Sequence, residues 1–319
     1  MNTHGLLNFI NRIRIVLCYL VTQTLVLIVS GQSVTENIIR TGERERMYLN
    51  YTPSGLVKGK TYPLLIVLHG GGGNAKRTMT FCGFNVLAER DKFLVVYPEG
   101  YKKGWHDGRI APGVDAYAEK VDDVEFISKV ISEMQSKMSV DPNRIFATGI
   151  SNGAMMSLQL AYKLSDKIRA IAPVCGNIAE NQAKDYKPAN PVAVLIINGT
   201  EDPLVPYEGG YVLSERSKRG RVVSTTQMMK IWMSLIPSSD KETVQSMSDT
   251  NKEDGCVPER IIFPSWGMNN PIQLIRITGG GHTWPGGKQY LPKMIVGKVC
   301  KDFKAEEVIW AFFRNLQPR

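Results

Sequence analysis

The chain has 319 residues, 43% of them hydrophobic and 22% charged, with a formal net charge of +9. This composition is that of a globular protein with a sizeable core, and it excludes a disordered or low-complexity chain. Lys and Arg are spread along the sequence apart from a cluster at Arg216, Lys218, Arg219 and Arg221. With no zinc-finger spacing, basic helix or basic-aromatic interleaving beside it, no nucleic-acid partner is expected.

Residues 1–33 read as a signal peptide. Arg12 and Arg14 end a basic start without acidic residues, an apolar run covers residues 15–29, and Val29-Ser30-Gly31 offers a cleavage site. The run is shorter than the ~20 residues a spanning helix needs, so no stable membrane partner is expected and the protein reads as secreted. Residues 34–319 carry no linker-like stretch and read as one catalytic domain. Cys18 leaves with the signal segment, while Cys82, Cys175, Cys256 and Cys300 remain. In an oxidising compartment these can pair, and their spacing fixes no pairing. Cys175 ends an apolar strand and reads as a buried free thiol.

In chain order, residues 36–39 and 44–51 read as strands at an antiparallel edge. The unbroken apolar run at 62–68 reads as a strand covered on both faces, and it enters a glycine loop, His69-Gly70-Gly71-Gly72-Gly73. A helix near 81–90 and a strand at 93–97 follow, then a loop through Trp105, His106 and Asp107. Asp122 and Asp123 cap a helix with apolar residues at Val124, Ile127, Ile131, Met134 and Met138. Strands are expected at 144–148, 168–174, 192–197, 261–263 and 272–277, and helices at 154–164, 222–235 and 306–316. This alternation predicts an α/β fold, with a mostly parallel central sheet and helices on both faces.

The most informative stretch is Gly149-Ile150-Ser151-Asn152-Gly153, between a strand and a helix. That context makes G-x-S-x-G a nucleophile elbow: a sharp turn that presents Ser151 Oγ at the carboxyl edge of the sheet, before a helix N-terminus. A serine hydroxyl needs a base and an oxyanion site. Of four histidines, His4 lies in the signal segment, His69 opens the glycine loop and His106 precedes the elbow. Only His282 follows a strand in the right part of the chain. Asp202 is the expected carboxylate, with Glu201 its neighbouring competitor; the residue before Pro203 is held extended, which favours Asp202. The order Ser, acid, His is that of α/β-hydrolases. The expected oxyanion donors are the N–H of Asn152 and one from Gly71 or Gly72. His69 reads as structural. Trp284, Trp105 and Tyr207 lie in loops near these strand ends and are candidate pocket walls. The glycine loop lacks both dinucleotide and P-loop patterns, and no metal or cofactor is expected.

Taken together, L-H-G-G-G-G-N (68–74), V-V-Y-P-E-G (95–100), G-W-H-D-G-R (104–109), G-I-S-N-G-A-M-M (149–156), A-P-V-C-G (172–176), N-G-T-E-D-P-L-V-P-Y-E-G-G (198–210) and G-G-G-H-T-W-P-G-G (279–287) resemble the secreted esterase/polyhydroxybutyrate-depolymerase family. That family groups with the feruloyl and acetylxylan esterases of carbohydrate esterase family 1. The resemblance implies an α/β-hydrolase fold, no cofactor and a triad on Ser151, Asp202 and His282. Some fungal feruloyl esterases carry cysteines beside the serine and histidine; here Ile150 and Thr283 stand there. The expected activity is hydrolysis of feruloyl or acetyl esters of plant polysaccharide. The alternatives are a polyhydroxybutyrate or short polyester depolymerase, then a peptidase or a catalytically silent binding protein. The expected partner is an ester-bearing small molecule, polysaccharide or polyester.

Overall fold

Every residue of Tyr62–Leu68 and of Ala193–Gly199 is buried, the pattern of strands covered on both faces. The computed structural model describes residues 33–111, 119, 121–214, 217–236, 241–263 and 271–317. The expected signal segment lies outside the described residues up to Gln32, together with His4 and Cys18, and so does Arg216.

The strands are β1 (Ser33–Thr41), β2 (Arg44–Thr52), β3 (Tyr62–Leu68), β4 (Leu94–Pro98), β5 (Val140–Ile150), β6 (Ala170–Val174), β7 (Ala193–Gly199), β8 (Gly210–Ser214), β9 (Ser217–Val222), β10 (Thr243–Ser246), β11 (Val257–Phe263) and β12 (Ile272–Thr278). Ten of them form one sheet in the order β1-β2-β4-β3-β5-β6-β7-β12-β11-β10. The stretch from β4 to β12 is parallel throughout, with antiparallel strands added at both ends. The helices are α1 (Ala75–Phe81), α2 (Phe84–Asp91), α3 (Asp123–Lys137), α4 (Asn152–Lys163), α5 (Thr225–Leu235), α6 (Lys293–Val296) and α7 (Ala305–Arg314).

The side-chain period of two along a strand divides the core. Leu64, Ile66 and Leu68 of β3 join one cluster with Phe126 and Ile127 of α3, Met156 and Leu160 of α4, and Trp232 of α5. Leu65 and Val67 face the other way and join Phe84 and Leu87 of α2 with Trp310 and Phe313 of α7. The mostly parallel sheet with helices on both faces is therefore as expected.

Two local expectations are corrected. The helix expected near 81–90 starts at Phe84, as α2; Gly83, at a left-handed φ of 71°, separates it from α1, which ends at Phe81. The helix expected from residue 222 starts at Thr225, where the Ser224 side chain accepts the Gln227 N–H at 3.0 Å; Val222 belongs to β9. The basic cluster that begins at Arg216 falls, in its described part, on the strand β9, paired antiparallel with β8.

A buried ion pair ties β2 to α3. Arg46 Nη2 lies 2.7 Å from Asp123 Oδ1, with the two side chains only 3% and 0% exposed. Asp123 Oδ2 also accepts the His106 N–H at 2.7 Å, and the guanidinium sits 4.2 Å from the centre of the Phe126 ring. Burial pushes the Asp123 carboxyl up, while Arg46 pulls it down.

Candidate active site

The β5–α4 turn holds Ser151 at φ 59° and ψ −120°, a conformation that an L-residue rarely adopts. Close packing enforces the turn. A Cβ on Gly149 would lie 2.6 Å from the Leu68 carbonyl oxygen, and one on Gly153 would lie 2.3 Å from that atom and 2.5 Å from the His69 oxygen. Only glycine lets the elbow sit this close to the end of β3. The Ser151 N–H donates to Val174 O at 2.9 Å, which ties the turn to β6.

Asp202 and His282 follow β7 and β12, neighbours in the sheet that run parallel with Ile197 beside Ile275. Their shared direction brings the two loops together at one edge. His282 Nδ1 lies 2.7 Å from Asp202 Oδ2, with side chains 4% and 2% exposed. Asp202 Oδ1 accepts the N–H groups of Leu204 and Val205, each at 2.8 Å. The carboxylate is thus fixed on both oxygens and presents a negative group to the imidazole. Glu201 points elsewhere: it is 62% exposed and reaches Lys298 at 3.3 Å.

The histidine loop is held from behind. The His282 N–H donates to Val296 O at 2.6 Å, Gly281 N–H to Lys298 O at 2.9 Å, and Tyr290 Oη to the His282 carbonyl at 2.9 Å. Cys175 links the elbow side to this loop. It directly follows Val174, and its Sγ lies 3.4 Å from Thr283 O and 3.7 Å from Gly281 O. Burial pushes its thiol up, and the Asp202 charge adds to that. Cys175, Asp202 and His282 present donor atoms within 4.8 Å of one another. Those of Asp202 and Cys175 are engaged by the imidazole, the backbone and a proton that stays on sulfur, so the trio reads as a hydrogen-bonded group.

The glycine loop packs on the elbow. A Cβ on Gly70 would lie 3.5 Å from Ser151 Cβ, and one on Gly71 would lie 3.7 Å from Asn152 Cβ. Gly72 is corrected as an oxyanion donor, because its N–H donates to Lys103 O at 2.8 Å. Gly71 is the glycine that faces the residue after the serine.

Trp105 and Trp284 are corrected as pocket walls. Trp105 is wholly buried and its indole N–H donates to His69 O at 2.8 Å. Trp284 is 2% exposed, packs against Phe81 and Phe84, and donates to Glu306 Oε2 at 3.0 Å. Both brace the loops from inside the core. Tyr207 is half-buried; its carbonyl accepts the Thr225 N–H at 2.8 Å, and burial pushes its phenol up beside Arg276.

Sequence reasoning missed what holds Asn152. Its Oδ1 accepts the Trp105 N–H at 2.8 Å, and its Nδ2 donates to Trp105 O at 3.0 Å and to Asp107 Oδ2 at 2.7 Å. Asp107 in turn pairs with Arg109 at 2.7 Å, both nearly unexposed. Arg109 Nη1 donates to Arg219 O at 2.6 Å and so anchors the β8–β9 hairpin. The G-W-H-D-G-R string was the available signal.

A model of the Phospholipase/Carboxylesterase family matches residues 57–252. NocK of Nocardia uniformis subsp. tsuyamanensis, which is named as an esterase, is 27% identical over 290 residues, 88% of this chain and 82% of its own. Feruloyl esterase B of Piromyces equi is 30% identical over 242 residues, 74% of this chain. The match spans only 42% of that esterase's length. Among solved structures, an acetyl xylan esterase from Aspergillus awamori aligns with a TM-score of 0.55 at 17% identity, over 78% of this chain and 94% of the other. That likeness shows the fold.

Proposed function

Given that the chain belongs to the phospholipase/carboxylesterase family, has the α/β-hydrolase fold and is a hydrolase of carboxylic esters, we propose that it is a secreted serine esterase acting on feruloyl or acetyl esters of plant polysaccharide. The observation that carries the reading is the buried Asp202–His282 pair, at the same sheet edge as a serine held in a strained turn.

In this mechanism His282 Nε2 takes the proton as Ser151 Oγ attacks the ester carbonyl. Asp202 accepts from Nδ1–H, which holds the tautomer and stabilises the imidazolium. The tetrahedral oxyanion sits between the N–H groups of Asn152 and Gly71, at the positive end of α4. His282 returns the proton to the leaving alcohol, and water then cleaves the acyl-enzyme by the same steps reversed. Asp107 and Trp105 position Asn152, and through it the first donor.

Two further observations support the substrate class. The names of the Piromyces relative and the Aspergillus structure give feruloyl and acetylxylan ester activity to those proteins. The β8–β9 hairpin packs Val212 and Val222 against Met155 of α4, one turn beyond the serine. It carries Tyr211, 41% exposed, with the Lys218 and Arg221 cations 4.4 and 4.8 Å from its ring centre. Arg221 is paired with Glu180 at 2.6 Å, and Lys218 gives this rim a cation that suits an acidic substituent. Secretion rests on the basic and then apolar start of the sequence. Among the described residues no helix is long and apolar enough to cross a membrane.

The test is hydrolysis of methyl ferulate and p-nitrophenyl acetate by the wild type and three variants. Ser151→Ala is expected to lose at least ~10⁴-fold in kcat, Asp202→Asn about 10³- to 10⁴-fold, and Glu201→Gln almost nothing. Activity on acetate alone moves the substrate to acetylxylan or small aliphatic esters. Preference for 3-hydroxybutyrate oligomers moves it to polyesters. Undiminished activity in Ser151→Ala sinks the mechanism.

A further inference from the structure

Four cysteines lie among the described residues, all buried as free thiols. Two are engaged elsewhere: Cys82 meets the Phe84 backbone and the Tyr97 side chain, and Cys175 belongs to the Asp202 group. The remaining two both lie against Asp254. Cys256 precedes β11 and Cys300 follows α6; they are 2% and 1% exposed, their side chains are neighbours, and Cys300 Sγ donates to Asp302 Oδ2 at 3.3 Å.

The backbone around them is drawn together by Asp254. One of its carboxylate oxygens accepts the Cys256 N–H at 2.8 Å, and the other accepts the Lys301 N–H at 2.6 Å. Two backbone nitrogens, one in Cys256 and one adjoining Cys300, therefore sit on the same carboxylate, which draws the two loops together. Cys256 Sγ lies 3.9 Å from the Asp254 carbonyl oxygen, and Cys300 Sγ lies within 4.8 Å of the Asp254 carboxylate. Asp302 closes the arrangement by accepting the N–H groups of Thr250 and Asn251 at 2.7 and 2.8 Å. Both aspartates are thereby occupied in joining the two loops. Gly255, Val257 and Lys301 beside the pair are exposed, so the two thiols lie just beneath the surface.

We infer that Cys256 and Cys300 are a disulfide site, and that its closure staples the segment carrying the backing of His282. That segment supplies Val296 O to the His282 N–H, Lys298 O to the Gly281 N–H and Cys300 O to the Gly286 N–H. The oxidant is a second disulfide, such as oxidised glutathione or the active-site disulfide of an oxidoreductase. Cys256 as thiolate attacks one donor sulfur and releases one thiol. Cys300 then attacks the Cys256 sulfur of the mixed disulfide and releases the second. Two protein thiols and one disulfide become one protein disulfide and two thiols, with electrons and protons conserved.

The experiment uses the full chain equilibrated with oxidised glutathione, then denatured and alkylated before and after reduction. Peptide mapping is expected to find Cys82 and Cys175 alkylated before reduction, with Cys256 and Cys300 recovered as one crosslinked peptide. The crosslinked protein is expected to unfold on the order of 5 °C higher than the reduced protein, because the unfolded chain is constrained. Cys300→Ser, with Cys256→Ala as its companion, is expected to remove both the crosslink and the difference. Alkylation of both cysteines before reduction, pairing of either with Cys82 or Cys175, or identical midpoints for oxidised and reduced protein overturns the inference. No ester substrate enters these readouts, so failure here is separable from failure of the esterase reading.

Discussion

His69 is wholly enclosed, and both ring nitrogens have partners. Nε2 accepts the Gly100 N–H at 2.8 Å, which leaves the proton on Nδ1, 2.8 Å from Gly70 O. Burial lowers its pKa from 6.5 to about 4. The folded state therefore holds this ring neutral where the unfolded chain binds a proton. Stability from this group is complete above pH 6.5 and declines as the pH falls from 6.5 to 4, by roughly 3 kcal/mol in all. Thermal unfolding followed between pH 7 and pH 4 is expected to show that loss. His69→Gln, which cannot titrate, is expected to flatten it; an unchanged slope would assign the loss to another group. The sequence carried this residue as far as a structural role, since it opened a glycine loop away from the Ser, acid, His order. Direction was less legible than position. Asp202 and Glu201 are adjacent, and what separates them is that Leu204 and Val205 aim their N–H groups at one carboxylate only. Trp105 and Trp284 were placed in the right loops, but the side an indole packs on depends on groups distant in sequence, His69 O and Glu306.

At the scale of elements, long apolar runs announced themselves. β3 and β7 are hydrophobic because both faces are covered, and α3 shows its buried stripe at spacings of three and four. The β8–β9 hairpin was illegible for the opposite reason. Ser217–Val222 is mostly polar, and its stability comes from Val212 and Val222 on Met155 and from Arg109 on Arg219 O. The Arg46–Asp123 pair is likewise invisible in the sequence. Removing only its cation is expected to be severe. Arg46→Met leaves Asp123 buried without its counter-charge, and denaturant unfolding is expected to show a loss of about 3–5 kcal/mol. Adding Asp123→Asn to Arg46→Met is expected to recover part of the loss, because an amide oxygen still accepts the His106 N–H without a buried charge. If the double variant is no more stable than the single one, the charge is not the cause.

For the molecule as a whole, the catalytic candidates follow three different strands of one mostly parallel sheet, β5, β7 and β12, and those three strand ends were readable, although the order of strands in the sheet was not. The loops between them were not readable, since they are held by pairings that join distant segments, as Asp254 joins Cys256 to Lys301. The adjacency of β7 and β12 has a further consequence in time. Asp202 and His282 are 80 positions apart and meet only when Ile272 has come to lie beside Val194. Closing so long a loop is entropically expensive and slow, whereas the neighbouring β5–β6 register and α4 form from nearer contacts. Chemical competence should therefore be a late reporter of refolding. After dilution from denaturant, ester hydrolysis is expected to recover behind the tryptophan fluorescence of the core, with a lag that lengthens if residues are inserted in the β7–β12 excursion. Simultaneous recovery of both signals would place this pairing among the first events instead of the last.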